Sequence, residues 1–141
     1  MAETAIEGMA SRAATVLVYS SHPATRERVK TALGERPTAG LELEYVEVDK
    51  GRDVIERLDA GGIDLAILDG ESAPTGGIGL SRQLRDELDD PPPVLLLVGR
   101  RDDAWLASWS RAEAVVPRPI DPVEIIAAAT ELLSEPAPAA H

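Results

Sequence analysis

The stretch TVLVYSSHPATRERVKTALG, Thr15 to Gly34, decides the architecture. TVLVYS is an unbroken apolar run with β-branched residues, the pattern of a strand covered on both faces of a sheet. Pro23 suits the first turn of a helix, where its missing N–H costs nothing. Val29, Ala32 and Leu33 then supply the apolar side of that helix, and Gly34 closes it.

The rest of the chain repeats this unit. LELEYVEV (41–48) alternates strictly and predicts a half-exposed strand near a sheet edge. RDVIERLDAGG predicts a short amphipathic helix closed by Gly61 and Gly62. IDLAILD is a second fully apolar strand and delivers Asp69 at its C-terminal end. The Gly-rich loop GESAPTGGIG leads to a helix, LSRQLRDEL. PPPVLLLV and EAVVP predict two more strands, each followed by a helix, DDAWLASWSRA and DPVEIIAAATELLS. Five strands alternating with five helices imply an α/β fold: a doubly wound (βα)5 five-stranded parallel sheet in a three-layer sandwich. Residues 15–134 form one domain in this reading, with a loose tail at 1–14 and a disordered Pro/Ala-rich tail at 135–141.

The chain has 141 residues, 44% of them hydrophobic, but only two Trp, two Tyr and no Phe, so the core has to be aliphatic. The 25 acidic against 14 basic residues give a formal charge of -11, which argues against nucleic-acid or anionic-membrane partners. The absence of cysteine excludes disulfides and thiol catalysis and suits a reducing cytoplasm. No apolar run is long enough to span a bilayer, and MAETAIEGMASRAA lacks the basic-then-apolar pattern of a secretory signal. The expectation is a cytoplasmic protein without membrane insertion.

Parallel sheets carry their functional groups at the carboxyl ends of the strands. That edge collects Ser20, Ser21, His22, Asp69, Val98, Gly99 and Arg118. Serine and histidine near an aspartate raise a hydrolytic reading, but sequence neighbours rarely attain the geometry of a nucleophilic site. Helix capping by serine ahead of Pro23 explains them more simply. GGIG matches neither complete phosphate-binding glycine pattern, since Arg82 stands where the last glycine belongs. It reads as a plain loop with positive-φ positions.

Four segments in this order, VLVYSSHPATRERV, DLAILDGESAPTGGIGL, PPVLLLVGRRDD and AEAVVPRPIDPVEI, resemble the receiver domain of bacterial response regulators, a flavodoxin/CheY-like fold. The resemblance spans roughly residues 15 to 134 and implies that Asp69 matches the phosphoacceptor. The two acidic Mg²⁺ ligands of the family fall on Ser20 and Ser21, its phosphoryl-binding Ser/Thr on Val98, and its Lys on Arg118. Its switch aromatic falls on Val115, and its loop proline comes one residue late, as Pro74. Mg²⁺ wants one or two carboxylates besides water, so Asp69 alone, even with Glu71, is a thin site. The resemblance therefore implies an atypical pseudo-receiver without a cofactor. Asp69 then caps the Gly-rich loop or pairs with Arg118 in a charge-assisted bond. The alternative is a genuine phosphoacceptor on Asp69 with a weakened Mg²⁺ site.

A receiver without an output domain works through partner proteins. The resemblance places the contact on the fourth helix, fifth strand and fifth helix, at Trp105, Trp109, Arg111, Val115 and Ile120. In it Trp105 corresponds to an inward, core position and Trp109 to an exposed one suited to a binding hot spot. The resemblance is nearest to actinobacterial stand-alone receivers. Their mycobacterial members imply the respiratory NADH dehydrogenase as a partner, with the chain peripheral to the membrane through it. The family's peptide bond before Pro119 is cis.

Overall fold

A computed structural model describes residues 12–134 except Pro74, and the backbone alone at Ala107. Of the expected tails, residues 1–11 and 135–141 lie outside the described residues, as does the late loop proline. The strands are β1 (Arg12–Tyr19), β2 (Leu41–Val48), β3 (Leu65–Asp69), β4 (Val94–Val98) and β5 (Ala114–Pro117). The helices are α1 (Pro23–Leu33), α2 (Gly51–Asp59), α3 (Gly77–Glu87), α4 (Leu106–Ser110) and α5 (Pro122–Ser134). All five strands are parallel, in the order β2-β1-β3-β4-β5, so β2 and β5 are the edges.

The apolar strands are buried because each feeds two cores. Val16, Val18, Ile67, Leu95 and Leu97 face one layer with Val29 and Leu33 of α1 and Ile125, Ala129 and Leu133 of α5. Leu17, Tyr19, Ala66, Leu68, Leu96 and Val98 face the other, with Val54, Leu58, Leu80 and Leu84 of α2 and α3. On β2 only Leu43 and Val48 are buried, one in each layer because the alternation shifts phase at Tyr45–Val46, while Glu42, Glu44 and Glu47 face solvent, as expected of a half-exposed edge strand.

Four details differ from expectation. Strand β1 begins at Arg12, not Thr15, because Arg12 to Ala14 pair with Leu41 to Leu43. Helix α3 begins at Gly77, three residues before the expected start, and its glycines are not positive-φ positions; those are Gly34, Gly40, Gly61 and Gly62. Gly77 is required by proximity instead. A Cβ there would stand 2.8 Å from the carbonyl carbon and oxygen of Asp69.

The fourth helix is split. Arg101–Trp105 is a 3₁₀ turn, and regular α-helix follows only from Leu106 to Ser110. Its change of pitch puts Leu106, not Trp105, against the core, and Trp105 is 66% exposed.

Candidate functional site: the Asp69 pocket

Asp69 ends β3 with no solvent exposure, under the carboxyl edge of the sheet. Ser20 Oγ donates to its Oδ2 at 2.7 Å. The Glu71 backbone N–H donates to its Oδ1 at 2.9 Å, and Arg118 Nη2 donates to the same oxygen. Three donors on two oxygens, one of them cationic, offset the desolvation that an isolated buried carboxylate would suffer. Both readings of a retained carboxylate, loop cap and partner of Arg118, are therefore met at once.

The backbone makes this possible. Arg118 follows β5, its N–H donates to Val98 O at 3.0 Å, and its bond to Pro119 is cis. From there the guanidinium reaches past the end of β4 to Asp69. Val98 itself is buried and offers the pocket no polar side chain. Val115 is half-buried against the α2/α3 core.

Serine capping of α1 does not hold. The N-cap is His22, with no side-chain cap bond, because the Ser20 hydroxyl is directed at Asp69 and accepts from His22 N–H at 3.0 Å. Ser21 joins a second small network: its N–H donates to Ser72 Oγ at 2.5 Å, and Ser72 Oγ donates to Ser21 Oγ at 2.8 Å. With Tyr19 Oη donating to Thr75 O at 2.5 Å, these bonds tie the β3–α3 loop to the end of β1. Ser72 and Tyr19 had no signal in the sequence, since their partners lie about fifty residues away. The exposed His22 imidazole takes no part in these bonds, so no nucleophile–base pair forms.

Mg²⁺ does not fit the donors present. Asp69 is the only carboxylate in the bonded set, and a guanidinium and a hydroxyl proton already face its oxygens. Glu71 is exposed, and its carboxyl group lies over Gly99 rather than in the pocket. Among the described residues there is no cluster of three or more His, Cys, Asp or Glu suited to a metal ion.

After β4, Trp105 and Trp109 are 66% and 51% exposed, and Arg111, at φ 63°, is exposed beside them in the chain. Arg82 stacks over the Trp109 ring at 4.7 Å and donates to Trp109 O at 2.6 Å. Val115 and Ile120 are half-buried, packed on the two cores, and present less surface than the resemblance implies. Val123, 76% exposed on α5, was missed, although it is out of phase with Ile125, Ala129 and Leu133.

No family model matches the chain. It is 57% identical over 128 residues to an uncharacterized response regulatory protein of Mycobacterium tuberculosis, in strains CDC 1551 and H37Rv alike, covering 90% of this chain and 96% of the relative. The chain belongs to the response-regulator receiver family. Its fold is shared with the signal receiver domain of the putative response regulator NarL from M. tuberculosis (TM-score 0.71, 23% identity, 89% of this chain and 99% of that one). The chemotaxis protein CheY4 of Vibrio cholerae is another neighbour (TM-score 0.68, 19% identity, 86% and 100%). So is the signal receiver domain of a signal transduction histidine kinase from Syntrophus aciditrophicus (TM-score 0.69, 26% identity, 86% and 90%). Among the described residues of this receiver, no helix is long and apolar enough to cross a membrane.

Proposed function

We propose that this receiver is a non-enzymatic interaction module that acts without phosphorylation of Asp69. The observation that carries the reading is the occupation of both oxygens of the fully buried Asp69 by Ser20, Arg118 and the Glu71 N–H. Phosphoryl transfer needs a carboxylate oxygen free to attack and a cation on the phosphoryl oxygens. Here the carboxylate is neutralised from within, and the pocket stays in one state.

Binding to another protein runs through α4, β5 and α5, with Trp105 and Trp109 as anchors and Arg111 beside them. Exposed tryptophans are the side chains most often found at binding hot spots. The resemblance to mycobacterial stand-alone receivers makes the respiratory NADH dehydrogenase the first partner to try, with the chain cytoplasmic and held at the membrane by that complex alone.

The test is intact mass after incubation with Mg²⁺ and acetyl phosphate. No added phosphoryl group is expected. A gain of one group, absent in Asp69→Asn, would replace this reading with that of a phosphoacceptor.

A further inference from the structure

Four residues of α3 hold the chain from Trp109 to Glu113. Ser81 Oγ donates to Ser110 O at 2.8 Å, and both serines are fully buried. Arg82 Nη1 donates to Trp109 O at 2.6 Å. Asp86 pairs with Arg111 at 3.4 Å, and Arg85 pairs with Glu113. The reason for these bonds lies in α4 itself. A helix of five residues ends on carbonyls that have no partner within it, and here side chains of α3 meet them. Arg111, the next residue, stands at φ 63°, a conformation that a non-glycine residue keeps only where its surroundings fix it.

Arg82 does more than cap α4. Its guanidinium also lies over the Trp109 ring, 4.7 Å from the centroid. Asp86, one turn along α3, is taken by Arg111, and no ion pair to Arg82 is found among the described residues. One side chain thus fixes both the backbone and the ring of a half-exposed tryptophan. A surface indole without such a neighbour exchanges rotamers in picoseconds to nanoseconds and gives up that freedom on binding. The bonds of Asp69, by contrast, go to Ser20, Glu71 and Arg118, none of them in α3 or α4. On β4 and β5, Val98 and Val115 offer no polar or aromatic side chain to carry a change at Asp69 towards α4.

We propose that Arg82 is the positioning residue of the Trp109 contact: it holds the indole in one presentation, set from α3 and independent of the state of Asp69. The inference rests on the reading of Trp109 as a partner contact, but its test needs no partner. A partner indifferent to Trp109 would remove the contact and leave the clamp. A freely moving ring would remove the clamp and leave the contact.

The experiment is time-resolved fluorescence anisotropy of the full-length protein carrying Trp105→Phe, which leaves Trp109 as its sole tryptophan. With Arg82 in place the decay should follow overall tumbling. Arg82→Leu should add a sub-nanosecond component, the signature of a ring released to exchange rotamers. Should that variant not fold, Arg82→Gln keeps a donor for Trp109 O, removes the stacked cation and should show the same component. Asp69→Asn should leave the decay unchanged. An Arg82 that served stability alone would lower the melting temperature of its variants without freeing the ring. That result, a sub-nanosecond component already present with Arg82 in place, or its appearance in Asp69→Asn would each overturn the proposal.

Discussion

Ser20 Oγ lies 2.7 Å from Asp69 Oδ2, and neither side chain has any contact with solvent. A hydroxyl at this position donates a proton to the carboxylate. A second carboxylate would instead repel it, unless a cation lay between the two.

Ser20→Ala should therefore destabilise the fold by about 1–3 kcal/mol, the usual cost of leaving a buried acceptor unmet. Ser20→Asp should lower the melting temperature further at neutral pH. Added Mg²⁺ should then raise the melting temperature of this variant and leave the parent chain unaffected. Thermal scans with and without Mg²⁺ check both, and a Mg²⁺ response of the parent would contradict the donor analysis.

Removing the other partner has a larger effect. Arg118→Ala should cost about 2–3 kcal/mol, somewhat below the range for a wholly buried pair because the arginine side chain keeps 22% exposure. Adding Asp69→Asn to that variant should restore most of the loss, since the stranded charge is gone. Urea unfolding of the single and double variants gives the coupling.

Two glycines of α3 should respond in opposite directions to alanine. At Gly79 a Cβ meets nothing within 4 Å, so Gly79→Ala should stabilise by about 0.5–1 kcal/mol through helix propensity. At Gly77 the same methyl group would run into the Asp69 backbone, and Gly77→Ala should cost about 1–3 kcal/mol. Equal shifts in melting temperature would sink the close-approach explanation.

Stability should fall on the alkaline side through two groups whose protons are held more tightly in the fold. Burial, aided by Glu35, pushes the Tyr45 phenol up to about 12, and its Oη donates to Gly34 O at 2.5 Å. The hydrogen bond to Glu47 raises Lys30. Both contributions are complete below the unfolded values, 10.0 and 10.5, and are lost as pH climbs through the folded ones. Tyr45→Phe should be less stable at pH 7, by about 1 kcal/mol, yet lose less between pH 10 and 12. On the acid side, Glu47 is held below its usual value by hydrogen bonds from Lys30 and Arg26. Its contribution, present above pH 4.5, should fade as pH falls through that lowered value. Denaturation midpoints across pH measure both limbs.

Both tryptophans face water, so unfolding should scarcely move the emission maximum. A bound partner on that flank should shift it to the blue. Trp109→Ala should abolish most of that shift while costing little stability, since it removes mainly the Arg82 stacking, worth about 0.5–1 kcal/mol.

The fold was legible because each apolar strand carries its own evidence: LAILD and VLLLV have nowhere to go but between two layers. The alternation of LELEYVEV likewise marked an edge. The pocket was legible only by position. Asp69, Ser20 and Arg118 fall at strand ends, but that Ser20 would bond Asp69 rather than cap α1 depends on a contact 49 residues distant. Trp105 was misplaced for a local reason, because a 3₁₀ turn and an α-helix share the same apolar letters and differ by a rotation that no spacing rule resolves.

The glutamates of β2 have one more consequence. An eight-residue outer strand is a template on which another chain could extend the sheet, and this one carries the exposed side chains of Glu42, Glu44 and Glu47, with Arg36 on Glu42 and Arg26 and Lys30 on Glu47. Two copies brought rim to rim would have to bury these charged side chains, which discourages extension of the sheet through β2.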